Sequence, residues 1–540
     1  MSGVLPVRAE CLPFTHIPHS TPLFLDFLYN FSKVRRFYPR TPYQRDWWAQ
    51  QAAEIQYPRP RREQVAAILE RQNRAFGSSL AALEAIARFR EGAAVVVTGQ
   101  QAVLFGGPLF AIFKALTAAK LAREASAAGV PTVPVFWIAS EDHDLAEVNH
   151  TTILDAGGSP HLLLAATRGS AGAPVGDVQF GPEIEALSAQ AAALLGESDA
   201  TEALRAAYRP GQSMSSAFAK LMARLLAEYG IVLIDPADAE LHRLAEPVYR
   251  GAISRSAELV GALVERGREL QAAGYHEQVK VTKSSVLLFL KQDGARTVIH
   301  RTNGAFVAGE RKMTEAELLQ RLAQAPEDFS ANVLLRPVTQ DYLLPTLAYS
   351  GGPAEVAYFA QADVVYQQLL GRRTPVIHRF SGTIVDPRAQ RLLKQYGLGL
   401  VEIFDGPERV RQLLALRHLP AELQARFDET NQVLGEEMEA VRGLLEKLDA
   451  SLVDAAARAE SKMLYQLRRL RGRAAGAELR RSHDVSRHAQ ALSGSLYPEK
   501  ELQERRIAGI YYAARYGAQV LQEIFEAMQP NCPDHQLLYL

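Results

Sequence analysis

The chain has 540 residues, too many for one ordinary core, so two or three domains are expected. Its 60 basic and 60 acidic residues balance, which argues against a nucleic-acid or membrane-surface binder held by charge. Hydrophobic content of 48% with 22% charged residues is that of a soluble globular protein. Cys11 and Cys532 are the two cysteines, too few for a disulfide scaffold and suited to a reducing cytosol. Cys532 and His535 are spaced as half of a metal site that no second pair completes. The first residues lack a basic region followed by an apolar one, and no apolar run approaches the roughly 18 residues of a membrane span. A soluble cytoplasmic protein is expected.

Residues 1–90 begin with scattered prolines and turn helical, which reads as a lead-in packed on the main domain, Trp47 and Trp48 included. Ala93–Val97 is a short β-branched run, the mark of a strand buried on both faces. Thr98–Gly107 reads as the break after it, and Pro108 suits the first turn of a helix whose stripe is Leu109, Ile112, Phe113 and Leu116. Such a loop aims free N–H groups above a sheet, which makes Thr98, Gly99, Gln100, Gln101 and Gly107 candidate anion-binding residues. It is neither a Walker A loop nor a Gly-x-Gly-x-x-Gly fingerprint.

Pro131–Ala139 is a second buried strand, so residues 93–139 form a β-α-β unit. Its carboxyl end, where ligands of open α/β sheets sit, runs into Ser140-Glu141-Asp142-His143-Asp144. Three carboxylates and an imidazole repel one another unless a cation, an amine or a proton meets them. Asn149 and His150 follow closely.

Residues 155–213 are rich in Ala, Gly and Ser and read as an insertion. A helix over Ser215–Tyr229 and a third strand, Ile231–Asp235, bring the core back, and a long helix over 239–272 follows. Short strands at Val279–Lys283, Val286–Leu290, Arg296–His300 and Ala305–Val307 then mark an antiparallel insertion within about 275–330. The main sheet resumes from Leu334. Tyr342–Tyr349 reads as a strand entering Ser350-Gly351-Gly352-Pro353-Ala354-Glu355, with a helix over Val356–Leu370, which repeats the logic of the first glycine loop. Pro375–Asp386 supplies another strand, with His378, Arg379 and Ser381 around its end.

Beyond residue 390 the texture is helical. Leu434, Val441, Leu448 and Ala455 recur every seven residues, with Met438, Leu445, Leu452 and Ala459 at the alternate core position, a coiled-coil pattern. The arginines between 468 and 481 read as a solvated helix face. The expected organisation is a helical lead-in (1–90), a Rossmann-like, mostly parallel α/β core with insertions (91–390), a helical coiled-coil arm (391–495) and a segment packing back (496–540).

Several stretches together resemble one family, the bacillithiol-biosynthesis cysteine-adding enzymes, or cysteine ligases. They are Thr98 to Gln101, Gly107-Pro108, Phe136 to Asp144 with Asn149-His150, Arg336-Pro337, Gln340 to Ala348, Gly352-Pro353, Glu355, Ala357-Tyr358, Tyr497-Pro498 and Leu502 to Arg505. The resemblance spans nearly all of the chain. It implies a ligase that adds cysteine to the amine of glucosaminyl-malate through a C–N bond, acting as a homodimer held by the coiled coil. The family core is similar to class I aminoacyl-tRNA synthetases, although neither of their signature motifs is present here.

On this reading Glu141, Asp142 and Asp144 are candidates to hold and deprotonate the amine, and His143 to carry a proton. Thr98 to Gln101, Gly107, Gly351 and Gly352 would cradle an anion, with Asn149, His150, Glu355, His378, Arg379 and Ser381 completing the substrate or nucleotide site. No protein metal site is expected, and the cofactor stays open between none, Mg²⁺, and ATP or another nucleotide. Two other readings stand beside it: a metal-dependent hydrolase using Asp142, His143, Asp144 and His150, and a nucleotide-binding coiled-coil scaffold.

Overall fold

A computed structural model describes residues 7–155, 157–168 and 172–540. An outer strand, β1 (Arg8–Leu12), precedes a helical segment. The core follows with β2 (Ala94–Gln100), the helix Leu109–Ala127 and β3 (Thr132–Ile138). A hairpin of β4 (His150–Leu154) and β5 (Pro160–Leu164) and a two-residue ladder of β6 (Thr167–Arg168) with β7 (Gln179–Phe180) come next, then β8 (Val232–Ile234). The second half holds β9 (Ser285–Gln292), β10 (Ala295–Thr302), β11 (Ala305–Ala308), β12 (Arg311–Met313), β13 (Phe329–Ala331), β14 (Thr346–Gly351), β15 (Val376–His378) and β16 (Gly382–Val385). β17 (His535–Tyr539) is the last element.

The central sheet is parallel throughout, in the order β15-β14-β2-β3-β8. β2 is the first of these strands in sequence and lies in the middle. The chain winds from it through β3 and β8 to one side, then through β14 and β15 to the other. The reversal between β2 and β14 is a topological switch point, where the loops part and leave a crevice above the carboxyl ends. Val95, Val96 and Val97 are fully buried, as β-branched residues covered on both faces should be. The 109–127 helix is buried well beyond a single stripe, Lys114 and Thr117 included.

The β insertion is a five-stranded antiparallel sheet, β12-β11-β10-β9-β13. It starts later than the sequence suggests. Val279–Lys283 is not a strand, because the Gln361 side chain occupies both the N–H and the carbonyl of Val279 at 2.8 Å each. Arg336–Leu343 is a helix instead of part of the returning strand, with Pro337 in its first turn. The expected helix over 239–272 is two, Ala239–Ser254 and Ser256–Ala272.

The arm is an antiparallel pair of helices, Ala421–Leu448 and Val453–Arg481, not one helix running through four heptads. Asp449 caps the turn between them by accepting from Ser451 N–H at 2.8 Å. The pair is tied by Arg442–Glu460 and Arg471–Asp428. Leu434, Met438 and Leu445 are half-buried against the partner helix, whereas Leu444 and Leu448 stay 67% and 77% exposed. Two helices, Gly509–Tyr516 and Gln519–Ala527, lie in the segment after the arm. Among the described residues no helix is long and apolar enough to cross a membrane.

A small third sheet, β1-β17-β16, joins elements from opposite ends of the sequence. Cys11 and Cys532, expected as thiols of a reducing compartment, are paired there as a disulfide. His535 takes no part in a metal half-site with Cys532. It is fully buried between the Ser381 and Thr383 hydroxyls, each 2.8 Å away.

Candidate active site

A cavity of about 670 Å³ opens at the switch point. Its lining comes from the ends of β2 (Gly99, Gln100, with Gln101 beyond), β3 (Trp137 and the loop to His143) and β14 (Tyr349, then Gly352 to Glu355). One end is acidic. Gln101 Nε2 donates to Asp142 Oδ2 at 2.7 Å and to Glu147 Oε2 at 2.8 Å, and so holds two carboxylates. The amide expected to face an anionic ligand is thus occupied by carboxylates of the chain itself. Asp142 also accepts from the His143 N–H at 2.7 Å, while the His143 ring lies 5.8 Å from the ring of Phe289 on the antiparallel sheet. The loop is anchored below by Ser140, which donates to half-buried Asp235. Burial pushes that carboxyl up, against the hydrogen bonds it accepts. Arg296 closes the wall 3.8 Å over Phe289, and its charge faces Glu141 and Asp142.

The other end is cationic and more deeply buried. Lys114 Nζ donates to Gly99 O at 2.7 Å and Gln100 Oε1 at 3.0 Å, and pairs with Glu355 Oε2 at 2.7 Å. Burial lowers the lysine's pKa and Glu355 opposes that. Burial raises the carboxyl's, but Lys114, the Tyr349 hydroxyl and the Gly352 N–H outweigh it and leave it below its ordinary value. Arg336 donates to the Tyr358 hydroxyl at 3.0 Å, and Arg505 reaches the same cavity. Arg379 is clamped by Glu504 through two contacts of 2.7 and 3.1 Å, while its buried Nε has no hydrogen-bond partner among the described residues. Gly352 faces that nitrogen: a Cβ there would lie 3.4 Å from it. A buried guanidinium N–H directed at an open cavity is what an anionic ligand satisfies.

Comparison with known proteins gives this arrangement a lineage. Residues 7–380 match the family described as Bacillithiol biosynthesis BshC, N-terminal Rossmann-like domain, and residues 382–540 its C-terminal coiled-coil domain. The chain belongs to the BshC family. A relative from Koribacter versatilis is 49% identical over 98% of this chain and 99% of its own. One from Solibacter usitatus is 36% identical over 98% and 100%, and one from Salinibacter ruber 33% over 96% of both. All three are named, provisionally, as the cysteine ligase BshC. Glu504 and Arg505 belong to the BshC coiled-coil region, so the cationic end of the cavity draws on both parts of the family architecture.

Of the residues singled out in the sequence, Gly99, Gln100, Gln101, Glu141, Asp142, His143, Gly352, Glu355 and Arg379 line the cavity. The others do not. Thr98 is buried within β2, its hydroxyl bonded to Ser350 O, and Gly351 is the last residue of β14. Asp144 caps the short helix Leu145–Val148, Asn149 ends it, and His150 opens β4 with its ring on Ala146 O. His378 is packed between Phe14 and Phe24, where burial first and Arg379 second lower its pKa to about 3. Ser381 sits behind the site, donating to Glu504. Gly107 lies at a helix start that is already covered, because Leu109 N–H donates to Ile507 O and Gly509 N–H to Gly107 O. The first glycine loop is therefore no open cradle: residues 98–100 belong to the strand. The four groups of the hydrolase reading do not draw together as a metal-holding cluster among the described residues.

The sequence reading passed over Lys114, Arg296, Tyr349, Tyr358 and Glu504. A signal exists for Lys114, a lone cation inside the apolar run Leu109–Ala119. None exists for Arg296, which tertiary packing brings from a distant segment, whereas Glu504 falls in the stretch Leu502 to Arg505 that carries the family resemblance.

Proposed function

We propose that this BshC-family chain is a ligase that joins the carboxyl of cysteine to the glucosamine amine of glucosaminyl-malate. The observation that carries the reading is the polarity of one cavity. Carboxylates and an imidazole stand at one end, suited to an amine that must bind as a cation and react as a free base. Partly unpaired cations stand at the other, suited to carboxylate or phosphate. Glu141 and Asp142 receive the ammonium and take its proton, and His143 exchanges that proton with solvent. Arg336, Arg379 and Arg505 hold the malate carboxylates or a phosphate, with Lys114 and Glu355 fixing the floor. Amide formation needs an activated carboxyl, which a nucleoside triphosphate supplies when bound.

The test is condensation of cysteine with glucosaminyl-malate in the presence of ATP and Mg²⁺, with product measured by mass spectrometry. Asp142→Asn and His143→Ala are expected to lower the rate by about two to four orders of magnitude with little change in melting temperature. Parental activity in both variants overturns the assignment.

The same reading includes a homodimer. Val441, Leu444 and Leu448 form an exposed apolar row on the first arm helix, and such rows on soluble proteins mark contact surfaces. Leu444→Asp with Leu448→Asp is expected to give a monomer by light scattering. A parent chain already monomeric at micromolar concentration removes the row as an interface.

A further inference from the structure

Behind Glu141 lies a second, closed chamber of about 10 Å³, room for one water molecule. Glu141, Trp137 and Arg336 line both this chamber and the main cavity, and His242 and Thr339 complete its polar wall. Among the described residues, Trp137 Nε1, His242 Nδ1 and Thr339 Oγ1 are buried without a hydrogen-bond partner, and Glu141 Oε1 has only the His242 ring beside it. Buried polar atoms are normally paired, so the Trp137 and Thr339 groups beside Glu141 point to a shared partner in that small space.

His242 stands on the Ala239–Ser254 helix, 4% exposed, with Nε2 3.3 Å from Glu141 Oε1. A carboxylate oxygen facing a ring nitrogen selects the tautomer with the proton on Nε2, which leaves Nδ1 as an acceptor. The chamber then offers an indole donor, a carboxylate acceptor and a hydroxyl that can do either, three partners for one water. Other charges near Glu141 are Arg296 from β10, Asp142 on the same loop and Arg336 from the Arg336–Leu343 helix, with the Tyr249 hydroxyl group beside them.

We propose that His242, together with one water in this chamber, is the positioning residue for Glu141. Ring and water hold one face of the carboxylate and turn the other toward the substrate amine. His242 touches no substrate. The inference rests on the reading of Glu141 as the group that receives the amine.

The test follows condensation by the full chain across pH in Glu141→Gln, His242→Ala, His242→Gln and Thr339→Val, with a thermal melt of each. His242→Ala is expected to lower kcat about 100-fold, the cost of a misplaced reacting group, with little change in KM. It should also shift the acid limb of the pH profile. His242→Gln, which returns an N–H toward the carboxylate, should recover most of the loss. Thr339→Val, which removes one partner of the water, should lower kcat about tenfold by a smaller misplacement of the same carboxylate. Parental kcat and pH profile in His242→Ala overturn the proposal. If that variant does not fold, parental kcat in Thr339→Val does so. A fully active Glu141→Gln instead overturns the amine site itself. An inactive Glu141→Gln beside an unaffected His242→Ala overturns the positioning role alone.

Discussion

The central sheet carries two strand–turn–helix units of similar sequence, β2 into the 109–127 helix and β14 into the 353–370 helix. Each has an apolar strand, glycines in the turn and a proline at the helix start. Only the second presents its helix start to the cavity, where Gly352, Pro353 and Glu355 line the wall. The first is closed by residues 507–509, which take its backbone groups in a strand-like bridge between Pro108 and Ala508. A helix dipole is available to a ligand only where no other segment has claimed it. The first unit contributes by its side chains instead: Lys114, one helical turn in, reaches back under β2 to Glu355 of the second.

Breaking that link should have the largest effect. Lys114→Met leaves Glu355 buried without its cation and is expected to cost about 3–5 kcal/mol in urea unfolding and to abolish condensation. Stability within about 1 kcal/mol of the parent, inside the range of an exposed pair, would remove the lysine as the link.

Acid titration comes next, because the layer behind the second unit is sensitive to pH. Burial lowers His535 to about 4 although Glu504 opposes this. Burial would raise Glu504, but Arg379 and His535 outweigh it and leave it at about 2. Both folded values lie below the unfolded ones, about 6.5 and 4.3, so the unfolded chain binds more protons as the pH falls. The stability held by His535 is complete above about pH 6.5 and drains as the pH falls toward 4, and that of Glu504 drains between about 4.3 and 2. Urea midpoints from pH 7 to 3 should fall accordingly. His535→Gln should flatten the upper part of the curve, and an unaltered slope would contradict the assignment.

Two glycine substitutions separate the units most finely. Gly107 has φ 72° and a Cβ there would stand 2.9 Å from Val103 Cβ, so Gly107→Ala should cost about 1–3 kcal/mol while leaving ligand affinity unchanged. Gly352 has an extended φ of −82°, so Gly352→Val should spare the fold and weaken anion binding about tenfold, near 1.4 kcal/mol. The reverse pattern would exchange the roles of the two turns.

The parts of this molecule legible in its sequence are those set by local periodicity. β2, β3 and β8 were, as was the acidic loop after β3, because a β-branched run followed by charged residues has few other uses. The Arg336–Leu343 helix was not, since its apolar positions are too few to separate a short helix from a strand. The arm misled in a related way. Both helices of an antiparallel pair need an apolar face, so the heptad spacing continues through the turn and only Asp449 marks the stop. The covering of Gly107 by Ile507 and the clamp of Arg379 by Glu504 had no local trace. They depend on contacts between residues far apart in the sequence.

β17 lies between β1 and β16, and among the described residues β1 pairs with no other strand. During synthesis on a ribosome, the first strand must therefore wait for almost the last residues of this sequence to emerge. The cationic wall waits as well, until residues 503–506 arrive to hold Arg379 and supply Arg505. Contacts of such long sequence range form slowly. A nascent chain would thus carry a shaped but unfinished crevice, and partial products of translation would be inert by construction.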